Sequence, residues 1–193
     1  MLAGELRFRG FDVLTTLEPG GTPLGRRLRE AFLETEENVS PLAELLLFAA
    51  DRAQHTDFLI KPKLAEGKIV ISDRYADATF AYQGAGRGFD QKTVSQVIKL
   101  ATRGLKPDLT LFFDISVDKA ILRTNTRTGD EAIKNRMDKE NVEFYERVRA
   151  AYLQIAKKEP KRFKVIDANG SIEEIKPQVL EIMTKFLKSE QPA

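Results

Sequence analysis

The stretch Ile69–Tyr75, with the sequence IVISDRY, decides the fold class of this chain. Its β-branched apolar residues are typical of a buried strand, and the strand ends in Asp73. Three more strands are predicted at Val13–Thr16, Leu109–Asp114 and Phe163–Asp167, with segments of helical period between them. Strands that alternate with helices indicate βαβ units, so we expect an α/β protein with a parallel sheet flanked by helices. Acids at the carboxyl ends of such strands face the ligand-binding crevice.

Several helix starts carry residues that cap a helix. Thr22 and Ser40 each precede a proline at the first helical position, and Ser171 begins a capping box. We predict further helices from Asp90 and Lys139. Between residues 124 and 137 the pattern changes to small polar and basic residues, which predicts a mobile surface loop between two helices.

The composition excludes several classes of function. A length of 193 residues suffices for one globular domain. The net charge of +2 is too close to zero for general electrostatic binding of nucleic acid or anionic lipid. The absence of cysteine and the single histidine exclude thiolate nucleophiles, cysteine-based zinc sites and most histidine-based catalysis. The sequence shows no signal peptide and no apolar run of membrane-spanning length. We therefore expect a cytoplasmic protein with neither a nucleic-acid nor a membrane partner.

Two segments have residues that suit ligand binding. Glu18–Gly25 (EPGGTPLG) follows the first strand, and its glycines would let the backbone approach an anion at the next helix start. The alternative interpretation is a tight turn without a ligand. Phe48 and Arg52 lie one turn apart on a helix, so an aromatic ring and a donor fork can meet one planar ligand. A core phenylalanine beside a surface ion pair is the alternative, and the nearby His55 is assigned no role.

The strand end at Asp73 has the pattern of a carboxylate positioned for Mg²⁺, with Arg74 beside it to hold a phosphate. A structural ion pair is the alternative interpretation. The following residues Thr79, Tyr82 and Gln83 lie on about one helical turn, where hydroxyl and amide groups suit the edge of a nucleobase. The loop with Arg123, Arg127, Lys134 and Arg136 offers cations for phosphoryl transfer or is merely solvated.

Together these segments closely resemble bacterial thymidylate kinases. The resemblance implies a three-layer P-loop kinase fold, with one nucleoside monophosphate kinase-like domain over residues 1–193 and a mobile lid at about 124–138. It implies transfer of a phosphoryl group from Mg²⁺-ATP to dTMP, giving dTDP and ADP, by a homodimer. The motifs that carry it are Glu18–Gly25, Leu47–His55, Ser72–Tyr75, Ala81–Gly88, Lys106–Leu111 and Asn135–Asp138.

The resemblance also implies roles on the base side of the site. Phe48 looks like the platform that stacks on thymine, and Arg52 looks like the donor to its O4 atom. Thr79 and Gln83 resemble further base contacts, and Tyr82 resembles the residue near the deoxyribose.

On the phosphate side, Arg29 and Arg74 resemble the residues that hold the acceptor monophosphate. Glu18 lies in the loop that lines this phosphate, and Asp73 matches the acid at the magnesium end of the site. Arg127 and Arg136 look like the catalytic arginines of the lid.

The sequence departs from the family pattern in two places. Leu17 stands where the family commonly has an arginine. No G-x-x-x-x-G-K-[ST] motif occurs in the 193 residues, so we expect the first, central strand and its phosphate loop to be missing from the sheet. Either the natural form begins upstream of Met1, or the chain binds dTMP but is impaired as a kinase.

Overall fold

The computed structural model of this protein describes residues 1–126 and 135–189. Two π-helical segments directly continue α-helices, Thr56–Ile60 after the helix Pro41–His55 and Phe80–Gly86 after the helix Ala76–Thr79, and a 3₁₀ turn spans Arg136–Lys139. The strands of these residues are β1 Val13–Leu17, β2 Ile69–Asp73, β3 Thr110–Asp114 and β4 Phe163–Asp167. The helices are α1 Leu2–Phe8, α2 Pro23–Leu33, α3 Pro41–His55, α4 Lys61–Ala65, α5 Ala76–Thr79, α6 Gln91–Thr102, α7 Val117–Asn125, α8 Val142–Lys158 and α9 Ile172–Ser189.

The predicted strands are confirmed to within one residue, and they pair in parallel. In the first pair, β1 lies beside β2 with Leu17 opposite Asp73. In the second pair, β3 lies beside β4 with Asp114 opposite Asp167. Asp73 therefore ends β2 beside the end of β1, and Asp114 and Asp167 end their strands side by side, as the α/β prediction requires.

The two strand pairs do not join into one sheet in the part of the chain that the structure describes. They form separate two-stranded sheets, so β2 and β3 have no hydrogen-bonded neighbour on their second edges. Asp77, just after β2, links the two pairs because it accepts hydrogen bonds from Thr110 Oγ1 at 3.0 Å and Arg162 Nη1 at 2.8 Å.

The predicted helix starts at Thr22, Ser40 and Asp90 are confirmed, since each side chain accepts a backbone N–H of its own first turn. The helix predicted from Lys139 instead begins at Val142. Asn135 caps the 3₁₀ turn that contains Lys139, and a separate cap at Asn141 starts α8. Two caps in quick succession divide this segment into a turn and a helix.

The largest buried cluster packs α2, α3, the second π-helical segment and α8 against one another, through residues such as Phe32, Phe48, Ala81 and Phe144. This cluster places the predicted base-side residues of α3 next to those that follow β2. Among residues 1–126 and 135–189, none of the helices combines the length and apolar character needed to cross a membrane.

Candidate functional site

One cleft brings together most of the predicted site residues. They come from three places: α3, the loop after β1, and the segment that runs from Arg74 through the second π-helical segment. The cleft is narrow, with a volume of about 10 Å³ between its walls. Its lining residues are Glu18, Phe48, Arg52, Arg74, Ala78, Thr79, Tyr82 and Gln83.

Arg52 is held in place by hydrogen bonds to groups from three parts of the chain. Its Nε donates to Glu18 Oε2 at 2.7 Å, its Nη1 to Thr79 Oγ1 at 2.6 Å, and its Nη2 to the Tyr75 carbonyl at 3.0 Å. The side chain is 2% exposed. A guanidinium carries five N–H groups, so one remains on each terminal nitrogen for a ligand. The predicted surface ion pair of the alternative interpretation is therefore wrong.

His55, which the sequence left without a role, completes this network. Its Nδ1 lies 2.8 Å from Glu18 Oε1, and its Nε2 lies 2.7 Å from Thr16 Oγ1. Because the Glu18 carboxylate pairs with Arg52 and can only accept, Nδ1 of His55 is the donor. Glu18 is thereby fixed from both sides, and it in turn fixes the direction of the Arg52 guanidinium.

The aromatic side chains of the cleft are packed edge to face. Phe48 contacts Phe32 with ring centroids 4.8 Å apart, and Tyr82 contacts Phe144 at 6.0 Å. Arg74 has a left-handed backbone with φ of 67°, and its guanidinium lies over the Tyr82 ring at 5.2 Å. A strained backbone at a cleft residue is frequent in functional sites because surrounding contacts hold it there.

The glycine-rich loop packs against α3 so closely that two of its glycines have no room for a side chain. A Cβ atom on Gly21 would lie 2.5 Å from His55 Nε2, and one on Gly25 would overlap Asp51 Oδ1. Asp51 also accepts the Gly20 N–H at 3.1 Å, so α3 and the loop are held together. Burial raises the pKa of Asp51 to about 6, the Gly20 N–H opposes this, and the Glu18 charge adds to it.

Glu44 is the second buried acid of α3 and is 0% exposed. Gln83 Nε2 donates to its Oε1 at 2.8 Å, Arg87 donates to both oxygens, and Arg136 Nη2 donates to Oε2 at 2.6 Å. Burial by itself raises the pKa of Glu44, but the hydrogen bonds from Arg87, Gln83 and Arg136 outweigh it and lower the pKa below its ordinary value. The carboxylate is therefore ionised.

The remaining predicted residues lie outside the lining of the cleft. Arg29 donates to the Pro19 carbonyl at 3.2 Å and so rests on the glycine-rich loop. Arg136 donates to the Phe32 carbonyl as well as to Glu44, so it reaches the cleft indirectly, through Phe48 beside Phe32 and through Gln83 beside Glu44. Asp73 is exposed at the end of β2. Arg127 lies outside the described residues, as does the middle of the predicted lid.

The arrangement can be compared with known proteins. The family model for thymidylate kinase matches residues 1–179. A thymidylate kinase of Desulfosudis oleivorans is 42% identical over 195 residues, covering 99% of this chain and 91% of the relative. The chain belongs to the thymidylate kinase family. A family member from Syntrophotalea carbinolica is 44% identical over 90% of this chain and 82% of the relative. The crystal structure of thymidylate kinase from Ehrlichia chaffeensis has a TM-score of 0.74 at 33% identity, covering 95% of this chain and 88% of that chain.

Enzymes of the thymidylate kinase family use ATP, generally with Mg²⁺. The described residues contain no cluster of three or more histidine, cysteine or acidic side chains that could hold a metal ion by themselves. Asp73 is exposed beside Arg74 at the carboxyl end of β2. A single exposed carboxylate fits Mg²⁺, which takes most of its ligands from nucleotide phosphates and water.

Sequence reasoning missed Glu44, Asp51 and His55, although their spacing held a signal. Together with Phe48 and Arg52, they occupy one face of α3 at intervals of three and four residues. All of these side chains are buried. Acids spaced three or four residues from a core phenylalanine lie on the same buried helix face, and buried acids require hydrogen-bond partners.

Proposed function

We propose that this protein transfers the γ-phosphoryl group of Mg²⁺-ATP to dTMP, giving ADP and dTDP. The observation that carries the proposal is the cleft in which Phe48, Arg52, Thr79, Tyr82 and Gln83 meet. An aromatic ring, a fixed donor fork and an amide at one cleft wall suit a planar pyrimidine. Membership of the thymidylate kinase family supports the same substrate.

The residues divide the proposed work between the base and the phosphates. Phe48 offers a ring to stack on thymine, and the two unused N–H groups of Arg52 offer donors to its O4 atom. Arg74 and Arg29 hold the acceptor phosphate, and Tyr82 lies near the sugar. Asp73 would hold Mg²⁺, which supplies charge neutralisation at the phosphates when bound. Arg136 and Arg127 would stabilise the transferred group from the lid.

A coupled assay of ADP release with the full chain, ATP, Mg²⁺ and dTMP tests the proposal. We expect turnover that depends on dTMP, and a loss of about tenfold or more on changing Asp73→Asn, because the amide holds Mg²⁺ less well. Asp167→Asn is the matched control, since Asp167 ends β4 in the same way and accepts hydrogen bonds from the backbone and side chain of Asn169.

Two outcomes would contradict the proposal differently. If the wild-type chain bound dTMP in a calorimetric titration but released no ADP, phosphoryl transfer would be wrong and the base assignment would stand. If it neither bound dTMP nor released ADP, both parts would be wrong.

The proposal extends to assembly and location. A homodimer is supported by exposed apolar side chains on two helices that pack together, Leu46 of α3 at 52% and Leu100 of α6 at 80% exposure. Light scattering of wild type against Leu100→Asp measures this assembly. A cytoplasmic location is supported by the absence of cysteine, which suits a reducing compartment.

A further inference from the structure

Gln83 is the cleft residue whose orientation is set from outside the cleft. Its Nε2 donates to Glu44 Oε1 at 2.8 Å, and its side chain is 1% exposed. Glu44 is an ionised carboxylate, so it accepts hydrogen bonds and donates none. Rotating the Gln83 amide by half a turn would bring two acceptors together in a buried place, which is costly. The amide therefore has one orientation.

This orientation decides what Gln83 presents to a ligand. With Nε2 committed to Glu44, the carbonyl oxygen Oε1 is the other end of the amide, and no group among residues 1–126 and 135–189 donates to it. Across the cleft, Arg52 keeps an unused N–H on each terminal nitrogen. The cleft thus offers a donor from Arg52 and an acceptor from Gln83 to one ligand edge.

A pyrimidine with a 4-keto group matches this pair. Thymine and uracil carry an acceptor at O4 and a donor at N3–H, whereas cytosine carries an amino donor at N4 and an acceptor at N3. A cytosine in the same pose would set donor against donor at Arg52 and acceptor against acceptor at Gln83. A site with fixed polar groups rejects such a ligand strongly, because its buried groups stay unpaired.

Glu44 itself is kept rigid by two arginines. Arg87 donates to both of its oxygens, at 3.1 and 2.9 Å, and Arg136 donates to Oε2 at 2.6 Å. These three contacts fix the plane of the carboxylate and leave Oε1 directed at Gln83. Arg87 is also held by Glu140 Oε1 at 2.6 Å, so the cluster has a second acid that does not touch Gln83.

We propose that Glu44 is a positioning residue for base specificity: by fixing the Gln83 amide, it selects 4-keto over 4-amino pyrimidine nucleotides. Glu44 makes this selection through Gln83 and does not touch the nucleotide. The proposal rests on the proposed function, since it takes the cleft to be the site of the monophosphate base.

The test is the ratio of the dissociation constants of dCMP and dTMP, measured by calorimetric titration of the full chain. In Glu44→Gln the new amide can accept or donate, so the orientation of Gln83 is no longer imposed. We expect the preference for dTMP to fall by about tenfold, the equivalent of one hydrogen bond. Glu140→Gln is the matched control, because it removes a charge from the same arginine cluster without touching Gln83, and its ratio should equal that of wild type.

A purely structural role of Glu44 would weaken both nucleotides equally and leave the ratio unchanged, which would overturn the proposal. Gln83→Met gives a second test that leaves Glu44 in place, and we expect the same loss of preference. Adding Glu44→Gln to Gln83→Met should lower the ratio no further, and a further fall would show that Glu44 acts by another route. If wild type bound no dTMP at all, the proposed function would be wrong together with this inference.

Discussion

Glu44 and Asp51 are two buried acids on the same face of α3, and they differ in almost every electrostatic respect. They lie seven residues apart, and their exposed fractions are 0% and 1%. Glu44 accepts hydrogen bonds on both oxygens from Arg87, Gln83 and Arg136, and its pKa is lowered. Asp51 accepts the Gly20 N–H on Oδ1, its Oδ2 has no hydrogen-bond partner among residues 1–126 and 135–189, and burial raises its pKa to about 6.

The difference shows that burial alone does not decide the charge of an acid. Both side chains lose water to the same extent, but only Glu44 receives cationic donors in exchange. Glu44 is therefore an anion at neutral pH, and it organises Arg87, Arg136 and Gln83. Asp51 sits at the contact between α3 and the glycine-rich loop, where a neutral side chain costs less than a charged one.

The largest expected effect comes from removing each acid in turn. Glu44→Ala leaves Arg87 and Arg136 without their buried partner, so we expect the free energy of unfolding to fall by about 3–5 kcal/mol. Asp51→Ala leaves only the Gly20 N–H unpaired, and we expect a fall of about 1–3 kcal/mol. Urea denaturation followed by circular dichroism measures both. Equal losses would mean that partner number does not distinguish the two acids.

A second, smaller effect concerns pH. The folded-state pKa of Asp51, about 6, lies above its ordinary value of 3.8, so the folded protein binds this proton more tightly than the unfolded chain does. Its contribution to stability is present at low pH and is lost as the pH rises through 6, by on the order of 2–3 kcal/mol.

Denaturation of wild type and Asp51→Asn at a series of pH values measures this contribution as the difference between the two curves. Glu44 should show the opposite sign, because its lowered pKa gives stability at neutral pH that is lost on acidification. Glu44→Gln should remove that acid-side loss. Parallel curves for wild type and Asp51→Asn would contradict the raised pKa of Asp51.

The smallest effect on stability is expected at an exposed acid that, like Glu44, pairs with a cationic side chain. Glu181 pairs with Lys185 at 2.6 Å on α9, with exposed fractions of 66% and 74%. Glu181→Ala should leave the free energy of unfolding almost unchanged, because water screens the pair. A loss comparable with that of Glu44→Ala would show that burial is not what makes the Glu44 cluster strong.

Much of the fold and of the cleft was predictable from local patterns. The strand at Ile69–Asp73, the caps at Thr22 and Ser40, and the one-turn spacing of Phe48 and Arg52 all act over a few residues. The start of α8 was misplaced because a second cap at Asn141 competes with the one at Asn135. The roles of His55 and Glu44 were not predictable in this way, since their partners are distant in the chain.

The sequence by itself determined the elements, the family and the residues that line the cleft, because periodicity, capping and ordered motifs are written in neighbouring residues. The tertiary structure decided that the pKa values of two acids on one helix face shift in opposite directions. Glu44 meets Arg136 from 92 residues away, and Asp51 meets the Gly20 N–H from 31 residues away. Charge in a buried site depends on which donors the fold delivers, and no local pattern in α3 contains that information.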